Sequence, residues 1–377
     1  MMRLLVDAVA FCYGPATVLH HVLRHWRSAF EHVTLAGTGT TIEHLSRAGL
    51  VDEYFSIDTE DPYAIECGLK GKWDVLVCVQ NPTGFPALRR FARRSVYWDF
   101  LLWMRADGPG EEFSADRYVI EGYPGTRRAL GRWRRWISYP MLSPVLATWV
   151  QTPPRDRQGP VIVNLGGQRS RLTYPGVNTH YPERMVEALV LAFDLIPSPP
   201  AIRICADTLT INDLSRRWQH PSCTFASIGH SEFLDALADA PLLITHPGLY
   251  SPFEAIGFGT PTVFLPSSNY TQILQLAAFR KRGLAPWAVD WTDLIGQTVQ
   301  AGLAESDGVR EVLQLVTSLE QVEVIKRLGE SLGSWLSLNQ EELDICATEQ
   351  RNSAAKYYGD VGEFMRGLLS GLCGEGE

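Results

Sequence analysis

The sequence predicts an α/β protein made of two Rossmann-like domains, each with a parallel sheet covered on both faces. Three observations predict it. Short β-branched runs alternate with longer helical patterns from one end of the chain to the other. The strand runs are near-continuously apolar, as strands buried on both faces are. A polar, proline-rich segment, 151–159, separates one such series from a second.

The first series has strand candidates at 4–9, 32–36, 75–79, 95–98 and 117–120; the second has them at 161–164, 202–205, 242–245 and 262–265. Helical patterns fill the intervals, which favours parallel pairing. The expected organisation is a first domain over 1–150, a linker over 151–159 and a second domain over 160–350. A terminal helical segment, 351–377, would return to the first domain. Two such sheets are expected to face each other across a cleft, with ligands beyond the carboxyl ends of the strands.

Composition narrows the class. With 377 residues, 45 % apolar and 20 % charged, the chain can bury two ordinary cores. No apolar run reaches spanning length and no secretion signal opens the chain, so a cytoplasmic protein without stable membrane insertion is expected. Seven cysteines without a C-x-x-C pair argue against a disulfide framework. Residues 1–150 carry 17 Lys+Arg against 16 Asp+Glu, and the remainder 17 against 26. An acidic chain is a poor nucleic-acid binder. Two basic clusters stand out, Arg89, Arg90, Arg93, Arg94 and then Arg127, Arg128, Arg132, Arg134, Arg135 interleaved with Trp133 and Trp136. Each reads as a solvated helix face or as a rim for an anionic acceptor or membrane surface.

The densest motif is His246-Pro247-Gly248, followed by Ser251, Glu254, Gly259-Thr260-Pro261, Asn269 and Gln272. A buried strand running through a glycine turn into a helix aims backbone amides and the helix dipole at an anion. Glu254, about two helical turns after His246, suits a pair of sugar hydroxyls. Upstream, strand 161–164 runs into Gly166-Gly167-Gln168-Arg169, where paired glycines let amides approach a phosphate and Arg169 suits a diphosphate or a uronic carboxylate. His246 could cap that diphosphate, act in acid–base chemistry or be satisfied by backbone.

These motifs resemble the donor signature of inverting GT-B glycosyltransferases, most closely over about a hundred residues of the second half. Pro247 stands where many members carry glycine or cysteine, and Gln272 falls one residue later than in many plant-type enzymes. The resemblance implies a GT-B fold and metal-independent transfer from a UDP-sugar to a small-molecule acceptor, with no further cofactor and a homodimer possible. His-x7-Glu in place of the Glu-x7-Glu of many retaining members implies inversion. It also implies that 227–233 reads the nucleobase, with Ile228, His230 and Phe233 as contacts; for Phe233 plain core packing is the more common role.

Inversion needs a base on the acceptor side. Asp99, which ends a strand in an apolar setting, is preferred, with Asp7, Glu121 and His20 behind it; a helix cap is the plain alternative for Asp99. Acceptor contacts are expected from Phe11, Tyr13 and Gly14 in the first βα loop, from Asn81 and Thr83, and from Tyr123. Tyr13-Gly14-Pro15-Ala16 and Val96-Tyr97-Trp98-Asp99 are similar to cytosylglucuronate synthases of nucleoside-antibiotic biosynthesis, which implies UDP-glucuronate and N1 of cytosine as the reacting pair. A hydrolysing UDP-sugar 2-epimerase, a non-catalytic nucleotide-sugar binder, or a transferase acting on a lipid-linked or natural-product hydroxyl are the rival readings. His21 and His25 stand four apart without a carboxylate partner, so no metal site is expected. The Thr38-Gly39-Thr40 turn lacks the third glycine of a dinucleotide fingerprint.

Overall fold

A computed structural model describes residues 2–105, 110–153, 156–166 and 177–373. The chain divides into two compact units, 1–146 with 357–377, and 147–356. The first unit carries β1 (Met2–Ala8), α1 (Gly14–Trp26), β2 (Phe30–Gly37), α2 (Gly39–Ala48), β3 (Glu53–Ser56) and α3 (Pro62–Gly68). It continues with β4 (Trp73–Val79), α4 (Phe85–Arg89), β5 (Ala92–Asp99), β6 (Arg117–Glu121), α5 (Thr126–Trp133) and β7 (Pro140–Ser143). The second unit carries β8 (Val161–Asn164), α6 (Val177–Phe193), β9 (Ile202–Cys205), α7 (Thr208–Arg217), β10 (Cys223–Ala226) and α8 (His230–Asp239). Then come β11 (Leu243–Thr245), α9 (Tyr250–Phe258), β12 (Thr262–Phe264) and α10 (Tyr270–Arg280). The helices α11 (Trp291–Ile295), α12 (Glu305–Thr317), α13 (Val322–Leu336) and α14 (Gln340–Ala354) complete it, and α15 (Val361–Cys373) belongs to the first unit.

Both sheets are wholly parallel, ordered β3-β2-β1-β4-β5-β6-β7 and β10-β9-β8-β11-β12. In each, the chain works outward on one side of the first strand and then crosses to the other. The switch points therefore lie between β1 and β4 and between β8 and β11. Strand order reverses there, and the neighbouring βα loops part to leave a crevice at the carboxyl edge.

The strands foreseen from apolar runs are present. Three others are not legible that way, β3, β7 and β10, and all three are sheet edges. An edge strand is paired and covered on one side only, so it needs no apolar run; β3 exposes Glu53, Tyr54 and Ser56, and β7 begins with a proline. The chain passes between units at 146/147 and 356/357, where the sequence suggested 150/160 and 350/351. The reason is local. Val150 N donates to Gly257 O, while Arg351 donates to Val150 O at 2.7 Å and stacks over Trp149 at 4.2 Å. The proline-rich segment is likewise held to the second unit, with Gly159 N on Asp239 O and Arg157 on Gly259 O. Helix α15 packs Met365 and Leu368 inward, and Trp26 Nε1 donates to Met365 O at 2.9 Å.

Candidate functional site

The β8/β11 switch of the second unit gathers most of the described residues that the sequence marks as candidates for holding a sugar donor. His246, directly after β11, sends Nε2 to Gly166 O at 2.5 Å, which ties the two loops across the switch. A carbonyl only accepts, so Nε2 carries the proton. Burial holds the imidazole below its ordinary value, and Nδ1 is buried without a hydrogen-bond partner among the described residues. His246 is thus a neutral ring whose free lone pair lies beside Gly248.

The backbone corrects one expectation. Gly166 and Gly248 were expected to offer free amides, but Gly166 N donates to Asn164 Oδ1 at 3.0 Å and Gly248 N closes a tight turn on His246 O at 2.7 Å. At the first turn of α9, Pro252 has no N–H to offer, and Ser251 N takes no backbone partner outside the helix among the described residues. Asn164, which sequence reasoning passed over, organises this corner. Its Nδ2 donates to Ser251 Oγ at 3.0 Å, and its carbonyl accepts from Thr245 Oγ1. Its place at the end of a β-run just before a Gly-Gly pair was the signal that could have found it.

Gly248 is informative by contrast with Gly259. The latter ends α9 at φ +78°, a left-handed cap that favours glycine. Among the described residues, a Cβ on Gly248 would meet nothing nearer than His246 Nδ1 at 3.9 Å. The protein's own packing does not require glycine there.

On the second turn of α9, Glu254 is buried and shares 2.6 Å with Nε2 of His230, the first residue of α8. The amino ends of α8 and α9 follow β10 and β11, so the pair lies on the same carboxyl edge as His246. Other expected donor contacts have internal duties. Phe233 packs with Ile162, Leu237 and Leu243 in the core, with Ile228 against the same cluster, so Phe233 is a packing residue rather than a stacking platform. Asn269 caps α10 by accepting from Gln272 N, and Gln272 Oε1 accepts from Ser268 N and Oγ, which leaves only the amide nitrogen of Gln272 for a ligand. Pro247 lies between His246 and Gly248 in the turn. Gly167, Gln168 and Arg169 lie outside the described residues.

In the first unit the β1/β4 switch is flanked by two non-glycine residues in the left-handed region, Cys12 (φ 56°) after β1 and Gln80 (φ 53°) after β4. Asp7, fully buried, accepts from Cys78 Sγ at 3.2 Å and Asn81 Nδ2 at 3.0 Å; burial pushes its carboxyl up to about 6 against the pull of those donors. Asn81 also reaches Thr59 O and Gly84 N, so its amide closes the β4 loop and is not free for an acceptor. Asp99 accepts from Tyr118 Oη at 2.6 Å and from Gln80 Nε2 and Leu101 N at 2.7 Å, and burial raises its carboxyl despite these donors. Glu121 accepts from Leu146 N at 2.8 Å. All three carboxylates are structural anchors as well as base candidates.

His20, on the second turn of α1, packs with His44 of α2 (ring centroids 5.4 Å apart), and His44 with Tyr13 (5.9 Å). Phe11, Tyr13 and Gly14 are half-buried, Thr83 is exposed and Tyr123 is buried. His44 was missed because nothing in its own helix marks it; only tertiary packing brings it to His20.

No protein-family model and no curated protein matches the sequence. Solved structures do match. LpCGTa in complex with UDP shares 13 % identity at TM-score 0.55, covering 99 % of each chain. CalG4, the calicheamicin glycosyltransferase, shares 13 % at 0.52, covering 100 % of this chain and 99 % of that one. MurG of Acinetobacter baumannii shares 14 % at 0.51, covering 97 % and 100 %. At such identities the likeness is one of fold, and that fold is GT-B.

Proposed function

We propose that this chain is an inverting, metal-independent glycosyltransferase that moves a sugar from a UDP-sugar to a small-molecule acceptor. One observation carries the reading. At the β8/β11 switch, a neutral histidine whose Nδ1 takes no partner among the described residues, the amino end of α9 and a glycine that the described packing does not require converge within two helical turns of a buried glutamate. That is an arrangement for a pyrophosphate and a ribose. The first turn of α9 would stabilise charge on the departing UDP, and Glu254, oriented by His230, would accept from the ribose hydroxyls. His246 would gain a proton at Nδ1 once an anion lies beside it, becoming a second donor to the diphosphate.

The first unit is assigned the acceptor. Asp99, the base expected from sequence, already accepts three hydrogen bonds, and Asp7 is sealed among Cys78 and Asn81. His20 is therefore the preferred base, with Asp99 and Asp7 holding the loop after β4 through Gln80 and Asn81. The narrower pairing of UDP-glucuronate with N1 of cytosine is part of the same proposal. The test is product analysis of the full chain with a panel of UDP-sugars, including UDP-glucuronate, offered cytosine and hydroxyl acceptors. A β-linked conjugate is expected from an α-linked donor. Free sugar released equally with and without acceptor would replace the transferase reading with that of a hydrolysing epimerase.

A further inference from the structure

Helix α5 and the turn after it are anchored from below by Trp133 and Ile137, both buried in the core of the first sheet. The face turned outward holds Arg127, Arg128, Arg132, Arg134 and Arg135, followed by Trp136 and Tyr139, 38 % and 59 % exposed. Among the described residues none of these five arginines meets a carboxylate. The other basic cluster behaves differently. There Arg89 and Arg94 face Asp116, Arg90 faces Glu66 and Arg93 faces Asp74.

The uncompensated cluster works against its own helix. Arg127 and Arg128 occupy the first turn, the positive end of the helix dipole. Arg128 and Arg132 stand at i,i+4, where like charges repel. A merely solvated face would relieve this with interspersed acids, as the first cluster does. Indole rings order the charges instead: Arg132 lies 4.6 Å over Trp133 and Arg135 3.7 Å over Trp136.

We infer that this face, residues 127–139, docks on an anionic lipid surface. Arginine set among exposed Trp and Tyr matches the water–headgroup boundary, where cations meet lipid phosphates and amphipathic rings sit at headgroup level. A nucleic acid would want a free ring face for base stacking, whereas Trp136 carries Arg135 on its face and Trp133 at 5.6 Å. No helix among the described residues is long and apolar enough to cross a membrane, so such attachment would be peripheral. The inference does not depend on the sugar-transfer reading.

The experiment is flotation of the full chain with phosphatidylcholine vesicles, with and without phosphatidylglycerol, and with single-stranded RNA as a competing polyanion. Binding is expected only to the anionic vesicles and should weaken with salt. Converting Arg127, Arg128, Arg132, Arg134 and Arg135 to Gln should lower partitioning by at least roughly a hundredfold, since each arginine near such a surface contributes about fivefold. Thermal unfolding of that variant should show no loss of stability. Trp136→Ser should weaken binding further than charge alone explains, and the triple change of Arg89, Arg90 and Arg93 to Gln should leave it intact. Three results would overturn the inference: no vesicle binding, binding that survives loss of the five arginines, or capture of RNA with the vesicles left free.

Discussion

The carboxyl edges of the two sheets are topological equivalents with opposite electrostatics. At β8/β11 the amino end of α9, a histidine kept unprotonated and a glycine that the described packing does not need stand beside one buried carboxylate, Glu254, held by His230. At β1/β4 and β5 the edge holds buried carboxylates, Asp7 and Asp99, each bound by donors of the protein itself. The difference teaches where an anion can go. A diphosphate at the β1/β4 edge would meet two buried carboxylates in a low dielectric, whereas at β8/β11 it would meet the amino end of α9 and a neutral imidazole, with Glu254 one turn further along the helix. On the proposed function, the same architecture would be divided into an anion-receiving unit and one better suited to a neutral acceptor.

The comparison can be broken most directly at the proton acceptor. His20→Asn is expected to lower kcat by about a hundredfold or more, the usual worth of a general base. Asp99→Asn should cost less, because it loosens the Gln80 and Tyr118 contacts without removing the base. Equal losses in steady-state assays, or a larger loss for Asp99→Asn, would return the base to the carboxylate.

Next in size is Glu254→Ala, which removes a charged acceptor from the ribose. UDP affinity by calorimetry should fall by about 2–3 kcal/mol. An unchanged Kd would mean that the nucleotide sits elsewhere.

Asp7 gives a stability test of the first edge. Its folded value of about 6 lies above the unfolded 3.8. Its carboxyl is neutral in both states below pH 3.8. As pH rises from there towards 6, the folded state resists ionisation and loses up to about 3 kcal/mol relative to the unfolded chain. Denaturant unfolding of Asp7→Asn across this range should lack that decline, and parallel pH curves for the two proteins would contradict the assignment.

Gly248→Ala should weaken UDP binding about tenfold with the melting temperature unchanged, since a methyl group there has room in the protein but would intrude on a bound phosphate. The smallest effect concerns His246. Its depressed value keeps it neutral, so any stability cost of protonating it appears only as pH falls below 6.5. An adjacent diphosphate would reverse the depression. UDP binding near neutral pH should therefore take up a fraction of a proton, visible as a binding enthalpy that depends on buffer ionisation. A buffer-independent enthalpy would leave His246 as a purely structural link to Gly166.

Much of this was legible in the chain alone. Continuous apolar runs mark strands covered on both faces, so the central strands of both sheets announce themselves. So does the His246–Glu254 segment, because a strand, a turn and a helix in succession dictate local geometry within a few residues. The edge strands β3 and β10 stay hidden because they are largely uncovered, whereas the edge strand β12 is fully buried and shows as an apolar run. Partnerships are hidden for a different reason. That His230 would meet Glu254, that Tyr118 and Gln80 would bind Asp99, and that one arginine cluster would find its acids while the other finds none among the described residues, are all decided by contacts between segments far apart in sequence. Hydrogen bonds and charge compensation act over a few ångströms of space, and only the folded chain sets which groups come that close.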